Sequence, residues 1–494
     1  MKYFLFLFSI FSFSQSPTFQ WSESFDIKHS YDIIGEIDTD LYFSFVKNNQ
    51  LKFYVLDKNL TKIKEGNLSF DCEDALFQFD DPTLKQYTNL EYEVVSDKII
   101  HLVRSFDEKK NILQIYYGLS TSDLSKKIKL NKVFEINEMD KTRRGVVISQ
   151  DKSKILFFYK KKQELTYKVY DNTFTKIINE GNYIFPVSDD KSKFESFNVD
   201  NNGNIISIVS KLKEKNDKLK GFSETQYIAF ITKNNQTTEP ITFDFKGYDI
   251  SYINCFFTTP NSVIFTGFLN SLDGNSKDKR VTSKMFFSNF SSNDYKLVNE
   301  NLVNVDGLYP EKINNKDDFM AYDIKNIYYK SNGGYSVVAE QNYNYSAMTS
   351  GFNSPMVSYS SVKKYGDIAV INFKKNFEIE NTTRIPKLQS NFSNVSIAST
   401  FKDDVIYVFY DDLAANFELK NEDDLKRNIT KGFVSNLKDR SIFSIVVQPD
   451  GKYKKHKIFD YKNDKRELLF RNSFYLKNGN FLTRTFNHIG LIKL

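Results

Sequence analysis

Residues 31–60 read YDIIGEIDTDLYFSFVKNNQLKFYVLDKNL, and this stretch decides the fold. Its runs of aromatic and β-branched residues are typical of strands, and the Asn, Asp, Lys and Gly residues between the runs are typical of turns. The stretch ends with an apolar strand, then Asp57, turn residues and a second apolar residue, Leu60. The same order returns at 169–174, with Asp171 and Phe174 in the corresponding places. This internal echo indicates a repeated unit.

Units of this kind recur at intervals of about fifty residues. They begin near residues 31, 86, 145, 194, 250, 323 and 396, and a shorter unit fills the C-terminal tail. Four short strands in each unit are the signature of β-propeller blades, which are small sheets packed face to face around a ring. The sequence therefore predicts an all-β fold, a single β-propeller. We count eight blades, and seven remains the alternative.

The C-terminal tail indicates how the ring closes. It supplies three strands, near 473–476, 481–486 and 489–492, and lacks a fourth. We expect residues 18–25 to provide that strand, so that the two ends of the chain share one blade. Such closure removes exposed sheet edges that would otherwise pair with other chains.

The first residues, MKYFLFLFSIFSFSQ, have the parts of a secretory signal peptide. Lys2 supplies the positive end, 4–13 is an apolar run, and Ser12 and Ser14 are small residues at the spacing of a cleavage site. We expect cleavage after Ser14, which divides the chain into a signal peptide at 1–14 and a propeller domain at 15–494. The apolar run is shorter than the ~20 residues that span a bilayer.

Composition narrows the class of function. The 68 basic and 62 acidic residues are interspersed along the chain, whereas a nucleic-acid-binding protein concentrates its basic residues on one face. We therefore expect no nucleic-acid partner, and no later stretch is apolar enough to predict a transmembrane segment. Cys72 and Cys255 fall in different units, and both one disulfide and two separate thiols remain open.

Several phrases are similar to those of a group of secreted β-propeller-like proteins of flavobacteria and related Bacteroidota that have no assigned function. The phrases lie at 149–156, 199–204, 365–368, 384–389 and 408–412. The resemblance implies export and an all-β repeat fold, and it brings no catalytic residues. This chain has Thr382-Thr383 where the group has a tryptophan, which implies different packing of that blade. It also shows no C-terminal sorting domain of the type IX kind, so we expect a periplasmic or outer-membrane-associated protein.

The sequence gives no set of catalytic residues. His29, His101, His456 and His488 stand alone, without the nucleophile and acid that a hydrolytic triad needs. Nucleophile elbows, phosphate-binding loops and zinc-binding motifs are missing as well, so no cofactor and no metal is predicted. The segment 273–278 alternates oxygen-bearing side chains as calcium loops do, but it lacks the later bidentate acid, and we expect a solvated hairpin loop.

The segment 340–366 is the best candidate for a binding site. We expect it to be a long insertion between two strands of the sixth unit. It is rich in Tyr, Ser, Gly and Asn, which make adaptable contact surfaces, and long loops in compact domains are often functional. The predicted binding residues are Tyr343, Tyr345, Phe352 and Tyr359. A flexible polar hairpin that binds nothing is the alternative.

Three functions follow as hypotheses. The first is a non-enzymatic binding or scaffold protein whose partners are proteins of the cell envelope, with outer-membrane association through a partner. The second is a hydrolase or lyase acting on polysaccharide at the central channel of the ring; its candidate residues, expected near the starts of inner strands, are Arg143, Arg144, Asp200, Tyr322 and Asp323. The third is a structural stalk or surface-layer protein, which would self-associate.

Overall fold

The computed structural model of the protein folds into eight antiparallel sheets arranged as an eight-bladed β-propeller. The structure describes residues 16–24, 31–47, 50–72, 86–95, 97–107, 110–137, 142–187, 192–212, 225–233, 236–258, 262–271, 281–309, 321–350, 357–387, 389–390, 396–418, 437–464, 466, 474–485 and 488–494. The predicted fold class is confirmed, and the blade count is eight.

The strands of the first four blades follow chain order from the central channel outward. Blade 1 consists of β2 (Tyr31–Ile37), β3 (Asp40–Lys47), β4 (Gln50–Leu56) and β5 (Lys62–Asn67). Blade 2 consists of β7 (Gln86–Val95), β8 (Lys98–Asp107), β9 (Ile112–Ser120) and β10 (Ile128–Asn137), with β6 (Phe70–Asp71) beside β10. Blade 3 consists of β11 (Thr142–Ile148), β12 (Lys154–Lys161), β13 (Glu164–Asp171) and β14 (Ile177–Ile184). Blade 4 consists of β15 (Ser192–Val199), β16 (Ile205–Leu212) and β17 (Thr225–Lys233), edged by β18 (Gln236–Thr237) and β19 (Ile241–Phe243).

The last four blades repeat the arrangement. Blade 5 consists of β20 (Tyr248–Thr258), β21 (Ser262–Ser271), β22 (Val281–Ser291) and β23 (Leu297–Asn304). Blade 6 consists of β24 (Tyr322–Tyr329), β25 (Tyr335–Ser350), β26 (Val357–Phe373) and β27 (Ile379–Ile385), with β28 (Gln389–Ser390) beside β26. Blade 7 consists of β29 (Ala398–Lys402), β30 (Val405–Leu413), β31 (Arg440–Val447) and β32 (Tyr453–Asp460). Blade 8 consists of β33 (Phe474–Tyr475), β34 (Phe481–Arg484), β35 (Ile489–Lys493) and β1 (Thr18–Trp21).

The chain ends close the ring as predicted. The N-terminal strand β1 pairs antiparallel with β35, with Thr18 opposite Lys493 and Trp21 opposite Gly490. Trp21 donates its indole Nε1 to Asp464 at 2.8 Å, and Arg466 lies over its ring at 4.3 Å. Blade 8 is therefore built from both ends of the chain.

The hydrophobic core is divided among the interfaces between blades. Residues on the facing sides of neighbouring sheets form a separate cluster at each interface, as Phe53 and Ile99 do between blades 1 and 2. Leu41 and Leu482 do the same between blades 1 and 8. This division explains how a domain of this length buries its apolar side chains without one central nucleus.

The few non-strand elements are short. Two 3₁₀ turns, Ala414–Phe417 and Leu437–Asp439, flank the long connection between β30 and β31. In the part of the chain that the structure describes, no helix has the length and apolar character needed to cross a membrane. The predicted signal peptide at 1–14 lies outside the described residues.

Candidate functional site: the long-connection face

The two faces of the ring differ in the length of their connections. On one face, the turns between first and second strands and between third and fourth strands are short, the longest being 121–127 and 234–240. On the other face, the chain passes between second and third strands and from blade to blade. There the connections include 68–85, 213–224, 305–321 and 414–439. We call this side the long-connection face, because long loops are where binding residues concentrate on rigid scaffolds.

The segment predicted as a long insertion projects from this face as a β-hairpin. Its two arms are continuous with β25 and β26, and the pairing runs without a break from Asn342 opposite Tyr365 to Ser350 opposite Val357. β24 starts opposite Gln341, so the hairpin extends past the inner strand of its own blade. The expected loop is thus mostly regular strand, because Tyr, Thr and Val at these positions favour extended backbone.

Three of the four predicted binding residues lie in the strands of this hairpin. Tyr343 and Tyr345 lie in β25, opposite Lys364 and Val362, and Tyr359 lies in β26 opposite Met348. Their side chains, and Phe352 as a whole, lie outside the described residues.

A buried ion pair anchors the base of the hairpin. Glu340 lies in β25 immediately before the bulge from which the hairpin emerges, and Lys387 follows the outer strand β27. Lys387 Nζ donates to Glu340 Oε1 at 2.5 Å, and both side chains are fully buried. Lys325 Nζ lies 3.3 Å from Glu340 Oε2, and the Ser396 hydroxyl donates to the same oxygen at 2.5 Å. Burial lowers the pKa of Lys387, although the Glu340 carboxylate acts in the opposite direction.

A second buried ion pair lies in the neighbouring blade. Arg440, at the start of β31, donates through Nε and Nη2 to both carboxylate oxygens of Asp411 in β30, and the Nε bond is 2.9 Å long. Gln389 connects the two pairs, because it accepts from Lys387 Nζ at 2.8 Å and donates to the backbone carbonyl of Asp411. The two pairs therefore form one network across the interface of blades 6 and 7.

Asp412, the residue after Asp411 in β30, is a second buried carboxylate beside this network. Its Oδ1 accepts from Leu413 N at 2.7 Å and Asn416 Nδ2 at 2.9 Å, which holds the start of the connection 414–439. No described group donates to its Oδ2. Burial raises the pKa of Asp412 to about 6, because removal from water disfavours the ionised carboxylate.

The network fixes the position of blade 6 relative to blade 7 more than it adds to the free energy of unfolding. The Coulomb attraction in a buried ion pair is largely offset by the loss of hydration, whereas each donor and acceptor has one favourable geometry. Glu340, Lys387, Asp411 and Arg440 all lie where their strands meet the long-connection face. The arrangement therefore fixes the base of the hairpin against blade 7.

The residues proposed for chemistry at the central channel do not form one cluster. Asp200 was expected at the start of an inner strand, but it follows the end of β15 on the opposite face and accepts from Tyr295 and Asn204. That expectation was wrong because Asp200 serves the turn 200–204, where its Oδ1 also accepts from Asn202 N. Tyr322 is buried and donates to the Leu308 carbonyl at 2.7 Å. Arg144 lies on β11, in blade 3, and the side chain of Arg143 is outside the described residues.

A different acidic group lies along the inner strands of blades 4 to 6. Asp323 in β24 accepts from Asn342 Nδ2 at 3.0 Å, and burial raises its pKa. Tyr252 in β20 is partly exposed, and its pKa is raised by burial and then by the charges of Asp323 and Glu195. Sequence reasoning identified Asp323 and missed Glu195 and Tyr252, because only the ring brings these inner strands together.

The remaining candidates have structural explanations. His101 is buried, and its Nε2 lies 2.7 Å from the Ser120 hydroxyl. Cys72 and Cys255 are both free thiols, and Cys255 is buried in β20. Within the described ranges, no group of three or more His, Cys, Asp or Glu side chains is arranged to hold a metal ion. The segment 273–278 and His29 lie outside the described residues.

Comparison with known proteins identifies no family for this chain. No protein-family model matches the sequence, and no curated protein matches it. Among solved structures, the chain is similar to the Dos1 propeller, at 8% identity and a TM-score of 0.47, over 96% of this chain and 95% of that one. It is also similar to prolyl oligopeptidase B from Galerina marginata, at 10% identity and a TM-score of 0.33, over 86% of this chain and 48% of that one. For hydrazine synthase of Kuenenia stuttgartiensis the identity is 8% and the TM-score 0.30, over 70% of this chain and 92% of that one.

Proposed function

We propose that this chain is an exported, non-enzymatic propeller that binds a protein of the cell envelope through its long-connection face, with the β25–β26 hairpin as the principal contact. The observation that carries the proposal is the hairpin itself, which extends beyond its blade and is anchored at its base by buried ion pairs. Preorganisation of this kind lowers the entropy lost when a partner binds.

The composition of the hairpin supports a protein partner. Tyr343, Tyr345, Phe352 and Tyr359 are aromatic, and the residues between them are mainly Ser, Asn, Gly and Met. Tyr provides a large contact area at low entropy cost, and Ser, Asn and Gly provide adaptable hydrogen bonds. The N-terminal segment, with its charged end, apolar run and small residues before Gln15, supports the export part of the proposal.

Affinity purification from the native envelope tests this proposal. The key variant replaces 343–364 by an Asn-Gly turn, which is feasible because Asn342 and Tyr365 are paired residues at the base of the hairpin. We expect the wild-type chain to be recovered outside the cytoplasm with a partner, and the shortened chain to fold and lose that partner. A matched control, Tyr453→Ser, removes an exposed tyrosine from β32 and should retain the partner.

Three outcomes would overturn the proposal. They are recovery of the wild-type protein without a partner, equal capture by the shortened chain, and a cytoplasmic location for the chain.

A second candidate function is a hydrolase or lyase acting on polysaccharide. The observation in its favour is that burial and then the charges of Asp323 and Glu195, which lie on neighbouring inner strands, raise the pKa of Tyr252. A tyrosine and carboxylates of this kind are groups that can transfer protons to and from a sugar. Cleavage of an extracellular polysaccharide by the purified protein would favour this function over binding alone.

A further inference from the structure

The outer strand of blade 5 is an apolar sheet edge. β23 reads LVNENLVN, and Glu300 is its one charged residue. Leu297 is 53% exposed, Val298 62% and Leu302 48%. By contrast, the outer strand β5 carries Lys62, Lys64 and Glu65. Charged residues, especially lysines, are the usual protection of an edge strand against pairing with another chain.

The order of residues in β23 is nearly the same in both directions. On either side of Glu300 stand an asparagine and then two apolar residues, so 297–303 reads as two apolar residues, Asn, Glu, Asn and two apolar residues. In an antiparallel pair of identical strands centred on Glu300, Val298 lies opposite Leu302. Each copy then covers the exposed apolar side chains of the other.

The position of the centre on a residue, Glu300, agrees with the geometry of a symmetric strand pair. The twofold axis of such a pair is perpendicular to the sheet, so opposite residues must point to the same face and their numbers must sum to an even value. This holds for a centre on Glu300 between Val298 and Leu302, and the bulge at Val298, where Leu297 pairs with Phe290 and Asn299 with Asn289, ends the symmetric part of the strand. The outer strand β14 reads IINEGNYI, but its centre falls between Glu180 and Gly181, so a symmetric pair would oppose residues on different faces.

We infer that β23 is the contact surface for a second copy of this chain, through antiparallel pairing about Glu300. The like charges of the two central glutamates keep the pair weak, since equal charges directly opposite each other destabilise strand pairing. A contact through one strand from each copy is also smaller than a stable interface. The result is a reversible dimer that leaves the long-connection faces of both copies free.

Sedimentation velocity over a range of concentrations tests this inference. We expect the wild-type propeller domain to pass from monomer to dimer as its concentration rises. Leu302→Lys places a charge opposite Val298 of the other copy and should weaken the dimer at least about tenfold. Glu300→Gln removes the central repulsion and should strengthen the dimer about two- to fivefold.

The matched control is Ile184→Lys, which adds the same charge to the 68% exposed isoleucine of β14 and should leave the dimer unchanged. Circular dichroism establishes that each variant is folded. A wild-type chain that stays monomeric at every concentration would overturn the inference. So would a dimer that survives Leu302→Lys, or one that Ile184→Lys weakens equally.

Discussion

At the residue scale, the most informative side chains are polar groups buried between blades. Glu340 and Lys387 are 47 residues apart, and Asp411 and Arg440 are 29 apart. Each stands in the sequence as an ordinary surface charge, and only the packing of blade 6 on blade 7 brings them together. This part of the candidate site could not be predicted from the sequence, because its partners share no motif or spacing. The hairpin was predictable, since its composition departs from that of the strands around it.

His101 gives a prediction at this scale. Burial lowers its pKa to about 3, compared with about 6.5 in an unfolded chain. Below pH 6.5 the imidazole of His101 becomes protonated in the unfolded chain but stays neutral in the folded chain. The free energy of unfolding therefore falls as the pH falls. The contribution lost between pH 7 and about 4.5 is roughly 2–3 kcal/mol. We expect His101→Gln to lack this loss, as measured by urea denaturation at both pH values.

The control for His101→Gln is the same substitution at a histidine that is less buried. His456 in β32 is only partly buried, so His456→Gln should keep most of the wild-type pH dependence. If His101→Gln loses as much stability on acidification as the wild type does, the buried imidazole is not the group responsible.

At the element scale, the turns between third and fourth strands share an unusual feature. An apolar residue with positive φ occupies the same place in four blades, namely Leu60, Phe174, Tyr295 and Phe377. In the turns of Leu60 and Phe174 the preceding aspartate, Asp57 or Asp171, accepts backbone N–H bonds at 2.9 Å. The echo between these two turns predicted the repeat correctly. It did not predict the left-handed backbone, which apolar residues adopt only where burial of the side chain outweighs the strain.

At Leu60 we therefore expect the glycine variant to be more stable than the alanine variant, which reverses the usual order. Leu60→Ala loses buried contacts and keeps the positive φ of 63°, so it should cost about 2–4 kcal/mol. Leu60→Gly loses the same contacts and relieves the strain, so it should be about 1 kcal/mol more stable than the alanine variant. Urea denaturation of the two variants measures the difference.

Leu41 is the matched position, because it lies in the same buried cluster but in the regular strand β3. There the usual order should hold, with glycine less stable than alanine. The same order at both positions would show that the backbone at Leu60 is not strained.

At the scale of the whole molecule, the ring depends on the pairing of the two chain ends. The eight interfaces between blades each hold an apolar cluster, and repetition of the strand pattern made this architecture predictable from the sequence. The missing fourth strand of the tail also predicted the closure by β1. Asp200 shows the limit of such reasoning, because the sequence does not indicate at which face of the ring a given strand ends.

The closing strand should open before the rest of the molecule, because β1 has four residues and pairs only with β35. Trp21, the single tryptophan, lies in it and reports its state. We expect the tryptophan emission to shift at a lower urea concentration than the far-ultraviolet circular dichroism. A disulfide joining the opposite residues Thr18→Cys and Lys493→Cys, made in a Cys72→Ser background, constrains the open chain and should bring the two transitions together at higher urea. Reduction of the same variant is the control and should separate them again. Coincident transitions in the protein without the cross-link would mean that the ring unfolds as one unit, with its closure no weaker than its other interfaces.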